Sequence, residues 1–209
     1  MSVSLLINQP DAVRLPGTLL LAHGAGAPMD SAFMEHLAAD IAAAGLKVAR
    51  FEFPYMAAQR EDGRKRPPNR MPVLLDAFRE ACAQCEGPVY VAGKSMGGRV
   101  ASMLADELGA KVAVCFGYPF HPPRKPEKTR TAHLLAIETP TLIIQGTRDP
   151  FGKPDEVSGY GLGARVAVHW LDTGDHDFMP LKSSGQTQQQ LISQAAELCC
   201  HFSQNSSRD

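Results

Sequence analysis

The sequence predicts a doubly wound α/β fold, a mostly parallel sheet with helices on both faces. Three observations carry this. Short apolar runs alternate with stretches of helical spacing, the arrangement that stacks parallel strands between helices. At 209 residues, with 44% hydrophobic and 21% charged residues, the chain suits one domain (residues 1–209) with a full core. Between residues 88 and 108 an apolar run, a glycine-rich turn and the spacing Val100, Leu104, Leu108 follow one another as strand, sharp turn and helix.

Taken in order, residues 3–7 read as an edge strand. Arg14-Leu-Pro-Gly reads as a turn, and residues 18–22 as the first interior strand, ending at His23. After the small-residue loop Gly24-Ala-Gly-Ala, Phe33, Leu37 and Ile41 recur at helical spacing, and Gly45 suits a C-terminal cap. Residues 46–51 form the next strand and residues 72–86 a helix. The strand at 88–91, its turn and its helix come next, then a β-branched strand at 111–116. A proline-rich loop spans 119–126, and a short helical piece lies near 133–137. Strands at 141–145 and 166–171 precede a last helix carrying Leu191, Ala195, Leu198 and Phe202 on one side. Residues 204–209 are polar and read as a frayed tail.

Composition excludes several classes. A net charge of -1 gives no whole-molecule attraction to nucleic acid or to an anionic membrane. The N-terminus lacks a basic segment before its apolar run, and no run approaches the roughly 18 apolar residues of a membrane span. A cytoplasmic protein is the expectation. Five cysteines, at 82, 85, 115, 199 and 200, are an odd number without a disulfide-framework spacing, and free thiols suit a reducing compartment. Cys82 and Cys85 form C-x-x-C, yet they share a helical stripe with Leu74 and Phe78, so they read as packing thiols and not as a redox pair.

The turn at 93–97 reads G-x-S-x-G, Gly93-Lys94-Ser95-Met96-Gly97, with Ser95 at its apex. Glycine is required on both sides where strand and helix cross too closely for a Cβ. Gly93-Lys94-Ser95 also resembles the end of a phosphate-binding loop. That motif needs glycine at position 88, which is proline here, so nucleotide binding is set aside. A serine hydroxyl needs a histidine base and an acid to orient that base, expected in the order acid then histidine on loops at later strand ends. Gly146-Thr-Arg-Asp149-Pro and Gly174-Asp-His176 stand in those places. Asp172, Asp175 and Asp177 compete for the acid's role, while His169 lies mid-strand where a base does not reach the turn, His36, His133 and His201 lie on helices, and His121 precedes the acid instead of following it. Ala25, in the loop after His23, and Met96 supply the two backbone N–H groups expected to hold an oxyanion, and His23 braces that loop.

These stretches, with Gly117-Tyr-Pro-Phe-His-Pro-Pro123 and Arg99, resemble the α/β-hydrolase superfamily. The chain is similar to small members near the dienelactone-hydrolase-like group, and particularly to a set with testis-expressed and chromatin-complex relatives. The resemblance covers nearly the whole chain. It implies a hydrolase fold and a Ser95-His176-Asp149 apparatus without metal or organic cofactor. Dienelactone hydrolases proper use cysteine where this chain has Ser95, so the resemblance does not carry their substrate. With every connecting segment short, no large cap domain is expected. The chemistry indicated is hydrolysis of a small carboxylic ester or thioester through an acyl-enzyme. A peptidase or amide hydrolase could use the same residues, and a scaffold protein on a hydrolase fold is the reading from a different class.

Two segments that follow strands, and so belong to the same sheet edge as Ser95, are basic. Residues 54–70 hold Arg60, Arg64, Lys65, Arg66 and Arg70 against two acids. Residues 121–130 hold Arg124, Lys125, Lys128 and Arg130 against one. Arg64, Lys65, Arg66, Arg124 and Lys125 are therefore candidate contacts for an anionic substrate.

Overall fold

In the computed structural model, which describes residues 3–206, one seven-stranded sheet forms the centre of the protein. Its strands are β1 (Leu5–Asn8), β2 (Thr18–Ala22), β3 (Lys47–Phe51), β4 (Val89–Lys94), β5 (Ala113–Phe116), β6 (Thr141–Gly146) and β7 (Val166–Leu171). Their spatial order is β1-β3-β2-β4-β5-β6-β7. Only β1 runs antiparallel, against β3, so the sheet is the mostly parallel one expected from alternating strands and helices.

The period of two along each strand divides the core between the two faces. Leu20 and Ala22 of β2 face one apolar layer, while Leu19 and Leu21 face the other. The first layer is closed by α3 (Met71–Cys82) and α4 (Met96–Leu104), through Leu74, Phe78, Val100 and Leu104. The second is closed by α1 (Ala32–Ala43) and α6 (Gln188–Ser206), through Leu37, Ile41, Leu191 and Cys199. Each face buries a continuous apolar surface, which is the main source of stability in a fold of this kind.

Three elements differ from the sequence-based expectation. Residues 54–70 are not one loop, because α2 (Pro54–Asp62) opens that segment. Pro54 stands at the first helical position, Gly63 closes the helix at φ 70°, and Tyr55 and Met56 are buried. The helix expected over 72–86 ends at Cys82, and the chain turns before β4. The tail expected to fray from residue 204 is helical through Ser206, where the Asn205 amide meets His201 at 2.9 Å; residues 207–209 lie outside the described residues. A short four-residue helix, α5 (Pro154–Val157), follows β6.

Candidate active site

Ser95 sits between β4 and α4 in a conformation that few L-residues adopt, φ 51° and ψ −113°. Two glycines make that turn sterically possible. A Cβ on Gly93 would stand 2.2 Å from the Gly97 carbonyl carbon, and one on Gly97 would stand 2.5 Å from the Ala22 carbonyl oxygen. The Ser95 N–H donates to the Phe116 carbonyl at 2.9 Å, and its own carbonyl accepts from the Arg99 N–H at 3.1 Å. Strain at Ser95 is thus held by bonds to the neighbouring strand and to the helix that follows, and its side chain is directed out of the strand–helix crossing.

The loops after β6 and β7 bring a carboxylate and an imidazole to this serine. His176 Nε2 lies 2.9 Å from Ser95 Oγ, and His176 Nδ1 lies 2.7 Å from Asp149 Oδ2. The carboxylate accepts at Nδ1, so the ring carries its hydrogen there and presents Nε2 to the hydroxyl as an acceptor. Asp149 is wholly buried, and both of its oxygens are occupied. Oδ1 accepts from the Phe151 N–H at 2.8 Å, and Oδ2 also accepts from Gln145 Nε2 at 2.9 Å. The competing acids are engaged elsewhere. Asp172 accepts from the Thr173 N–H, Asp175 from the N–H groups of Asp177 and Met179, and Asp177 pairs with Lys94.

Gln145 was not singled out by sequence reasoning. It is fully buried at the end of β6, where its Oε1 accepts from the Tyr118 N–H at 2.6 Å and its amide faces Asp149. One polar residue closing the apolar run Thr141-Leu-Ile-Ile was the available signal. Phe151, whose ring centroid lies 4.3 Å from that of His176, belongs to the stretch Gly146–Phe151 but had no role assigned from sequence. Lys94, within the G-x-S-x-G turn but given no role by the sequence, is buried beside Ser95 and lines the same cleft.

The opposite wall of the site is the loop of residues 24–27. His23 is buried, and Nε2 accepts from the Phe53 N–H at 3.1 Å while Nδ1 donates to the Gly24 carbonyl at 2.6 Å. Burial lowers its pKa, which keeps it neutral with both nitrogens used, so it braces the loop. The Tyr55 hydroxyl donates to the Ala25 carbonyl at 3.0 Å from the far side. Met96 is the first residue of α4, and a first-turn N–H has no partner within its own helix. The cleft of about 380 Å³ over Ser95 is lined by residues 24–27, Phe33, Met34, Lys94, Phe151, His176 and Asp177, among others.

Arg64, Lys65, Arg66, Arg124 and Lys125 are not among the residues lining this cleft. Arg66 pairs with Asp62, and Arg60, from the same segment, is held by Glu52 and Asp30. Arg64, Lys65, Arg124 and Lys125 are exposed.

A mostly parallel sheet with a strained serine at the end of a central strand, an acid and a histidine on later strand ends and no cap domain defines the α/β-hydrolase class. A family model described as an alpha/beta hydrolase domain matches residues 16–204, and the chain belongs to that family. Among solved structures it is similar to a dienelactone hydrolase from Anabaena variabilis at 22% identity, with a TM-score of 0.71 over 96% of this chain and 90% of that one. It is also similar to a lidless α/β serine hydrolase from Xanthomonas campestris at 18% identity, TM-score 0.69, over 99% of this chain and 88% of that one. Est1E from Butyrivibrio proteoclasticus follows at 11% identity, TM-score 0.68, over 96% and 94%. At these identities the likeness is one of fold. No match was found among curated proteins.

Proposed function

We propose that the protein is a serine hydrolase that cleaves a small carboxylic ester or thioester through an acyl-enzyme. The observation that carries this is the single imidazole of His176, within hydrogen-bond distance of both Ser95 Oγ (2.9 Å) and the buried Asp149 carboxylate (2.7 Å).

Ser95 Oγ attacks the carbonyl carbon as His176 Nε2 takes the hydroxyl proton, and the carbonyl oxygen becomes an oxyanion. Asp149 holds the imidazole in the tautomer that accepts at Nε2 and stabilises the imidazolium that results. The N–H groups of Ala25 and Met96 are the proposed oxyanion donors. When the tetrahedral intermediate collapses, the bond to the leaving oxygen or sulfur breaks, and that group departs with the proton from Nε2. Water then attacks the acyl-Ser95 ester by the same proton route, releasing the acid and restoring Ser95. A panel of short-chain acyl esters and acyl-thioesters tests the reading. Turnover of at least one series, lost on Ser95→Ala, supports it; turnover that survives Ser95→Ala contradicts it.

Exposed cations on the segments after β3 and β5, among them Arg64, Lys65, Arg124 and Lys125, are proposed to attract an anionic substrate at long range. Such attraction acts through encounter rate and is screened over about 8 Å at physiological salt. The preference it produces fades as salt rises. A cytoplasmic location is proposed from the five free cysteines, which suit a reducing compartment.

A further inference from the structure

Lys94 has no part in the proton route from Ser95 to His176, yet it is one of the most buried charged side chains in the protein, with 8% of its side chain exposed. Its stem passes the loop at Gly24. Its Nζ lies 3.1 Å from Asp177 Oδ1 and 5.5 Å from the centre of the Phe33 ring. All four residues line the cleft over Ser95, and Lys94 is the cation among its lining residues. The rest of the lining is mainly small and apolar: Ala25, Ala27, Phe33, Met34 and Phe151. The partner carboxylate is unequal to the amine it holds. Asp177 is 70% exposed, so it can turn to water at small cost, whereas Lys94 cannot leave. A buried ammonium with a displaceable counter-ion, next to the reacting serine, is a seat for another anion.

We propose that Lys94 is a specificity-determining residue that selects acyl groups bearing a second, free carboxylate, the substrate's carboxylate replacing Asp177 at Nζ. The substrate class is then the monoester or monothioester of a short dicarboxylic acid. This rests on the hydrolase reading above and names its acyl group. Burial lowers the Lys94 pKa while the Asp177, Asp149 and Asp175 carboxylates oppose that shift, and an arriving carboxylate takes over the share that Asp177 supplied. Because the Lys94 side chain is buried, salt screens its attraction for an anion in the cleft less than it screens the exposed cations of residues 64–65 and 124–125.

The test compares kcat/KM for mono-4-nitrophenyl adipate and 4-nitrophenyl hexanoate, esters of equal acyl length that differ by one carboxylate. The parent favours the adipate about tenfold or more, at low and at high salt. In Lys94→Gln the ratio falls to near one, whatever happens to the absolute rates. In Asp177→Asn it rises, because the internal competitor has lost its charge. A parent without preference, a ratio unchanged in Lys94→Gln, or a ratio lowered by Asp177→Asn as far as by Lys94→Gln overturns the proposal; the last outcome makes the pair a clamp on the His176 loop. A binding arm separates this from failure of the hydrolase reading and does not need the Lys94 variant to fold. In Ser95→Ala, calorimetry finds monoethyl adipate bound at least about tenfold more tightly than ethyl hexanoate. Equal affinities there refute the acyl-carboxylate seat, whether or not the parent turns over either ester.

Discussion

Asp149 gives the residue scale its clearest case. Its two oxygens accept from His176, Gln145 and the Phe151 N–H, so removing the charge changes more than one bond. Asp149→Asn places an amide against the Gln145 amide and allows the imidazole to turn to its other tautomer. Ester turnover is expected to fall by a factor on the order of 10³ or more, with an unchanged fold by circular dichroism. Asp172→Asn or Asp177→Asn, measured alongside on a neutral ester, should lose far less; an equal loss in either reassigns the acid. Gln145→Leu is a stability prediction. It leaves the Tyr118 N–H buried without its acceptor, and should lower the unfolding free energy by about 1–3 kcal/mol in a denaturant titration.

Among the elements, the strand–turn–helix around Ser95 is the least tolerant of change. Gly93→Ala and Gly97→Ala each drive a methyl into backbone at 2.2 to 2.5 Å, where neither partner can give way. Each should destabilise the protein by about 2 kcal/mol or more, or abolish folding. Gly26→Ala, in the loop across the cleft, meets nothing within 4 Å and should stay within about 0.5 kcal/mol of the parent in the same titration. The same geometry explains what could be read from the sequence. Ser95, Asp149 and His176 were legible because each lies in a short strand-end turn whose glycine and proline neighbours mark it, and their order along the chain is fixed by topology. The roles of Gln145 and Lys94 were not, because both are buried at strand ends and their partners, Tyr118 and Asp177, come from other loops. Helix α2 is hard to read from sequence because its apolar residues Tyr55 and Met56 fill only one turn before the consecutive charges Arg60, Glu61 and Asp62, although Pro54 and Gly63 mark its two ends.

For the whole molecule, acid sensitivity follows from histidines kept neutral by the fold. Burial, with help from Arg99, lowers His133 to about 4, where its ring meets Ser102 at 2.9 Å, and burial lowers His23 as well. Unfolding frees both to protonate near 6.5, so the unfolded chain binds more protons between that pH and the lowered native values. The stability these two histidines contribute is therefore full above about pH 6.5 and declines as pH falls toward 4. His133→Gln should flatten that decline in urea titrations at stepped pH; an unchanged slope removes His133 from the account. The central claim is that the intact protein uses Ser95 as a nucleophile activated by His176, and its most direct test is labelling by a fluorophosphonate followed by mass mapping of the modified peptide. The account predicts one adduct, on Ser95, formed in the parent and lost or greatly slowed in Ser95→Ala and His176→Ala. A folded parent that takes no label, or takes it on another residue, or a His176→Ala variant that labels as fast as the parent, would contradict it.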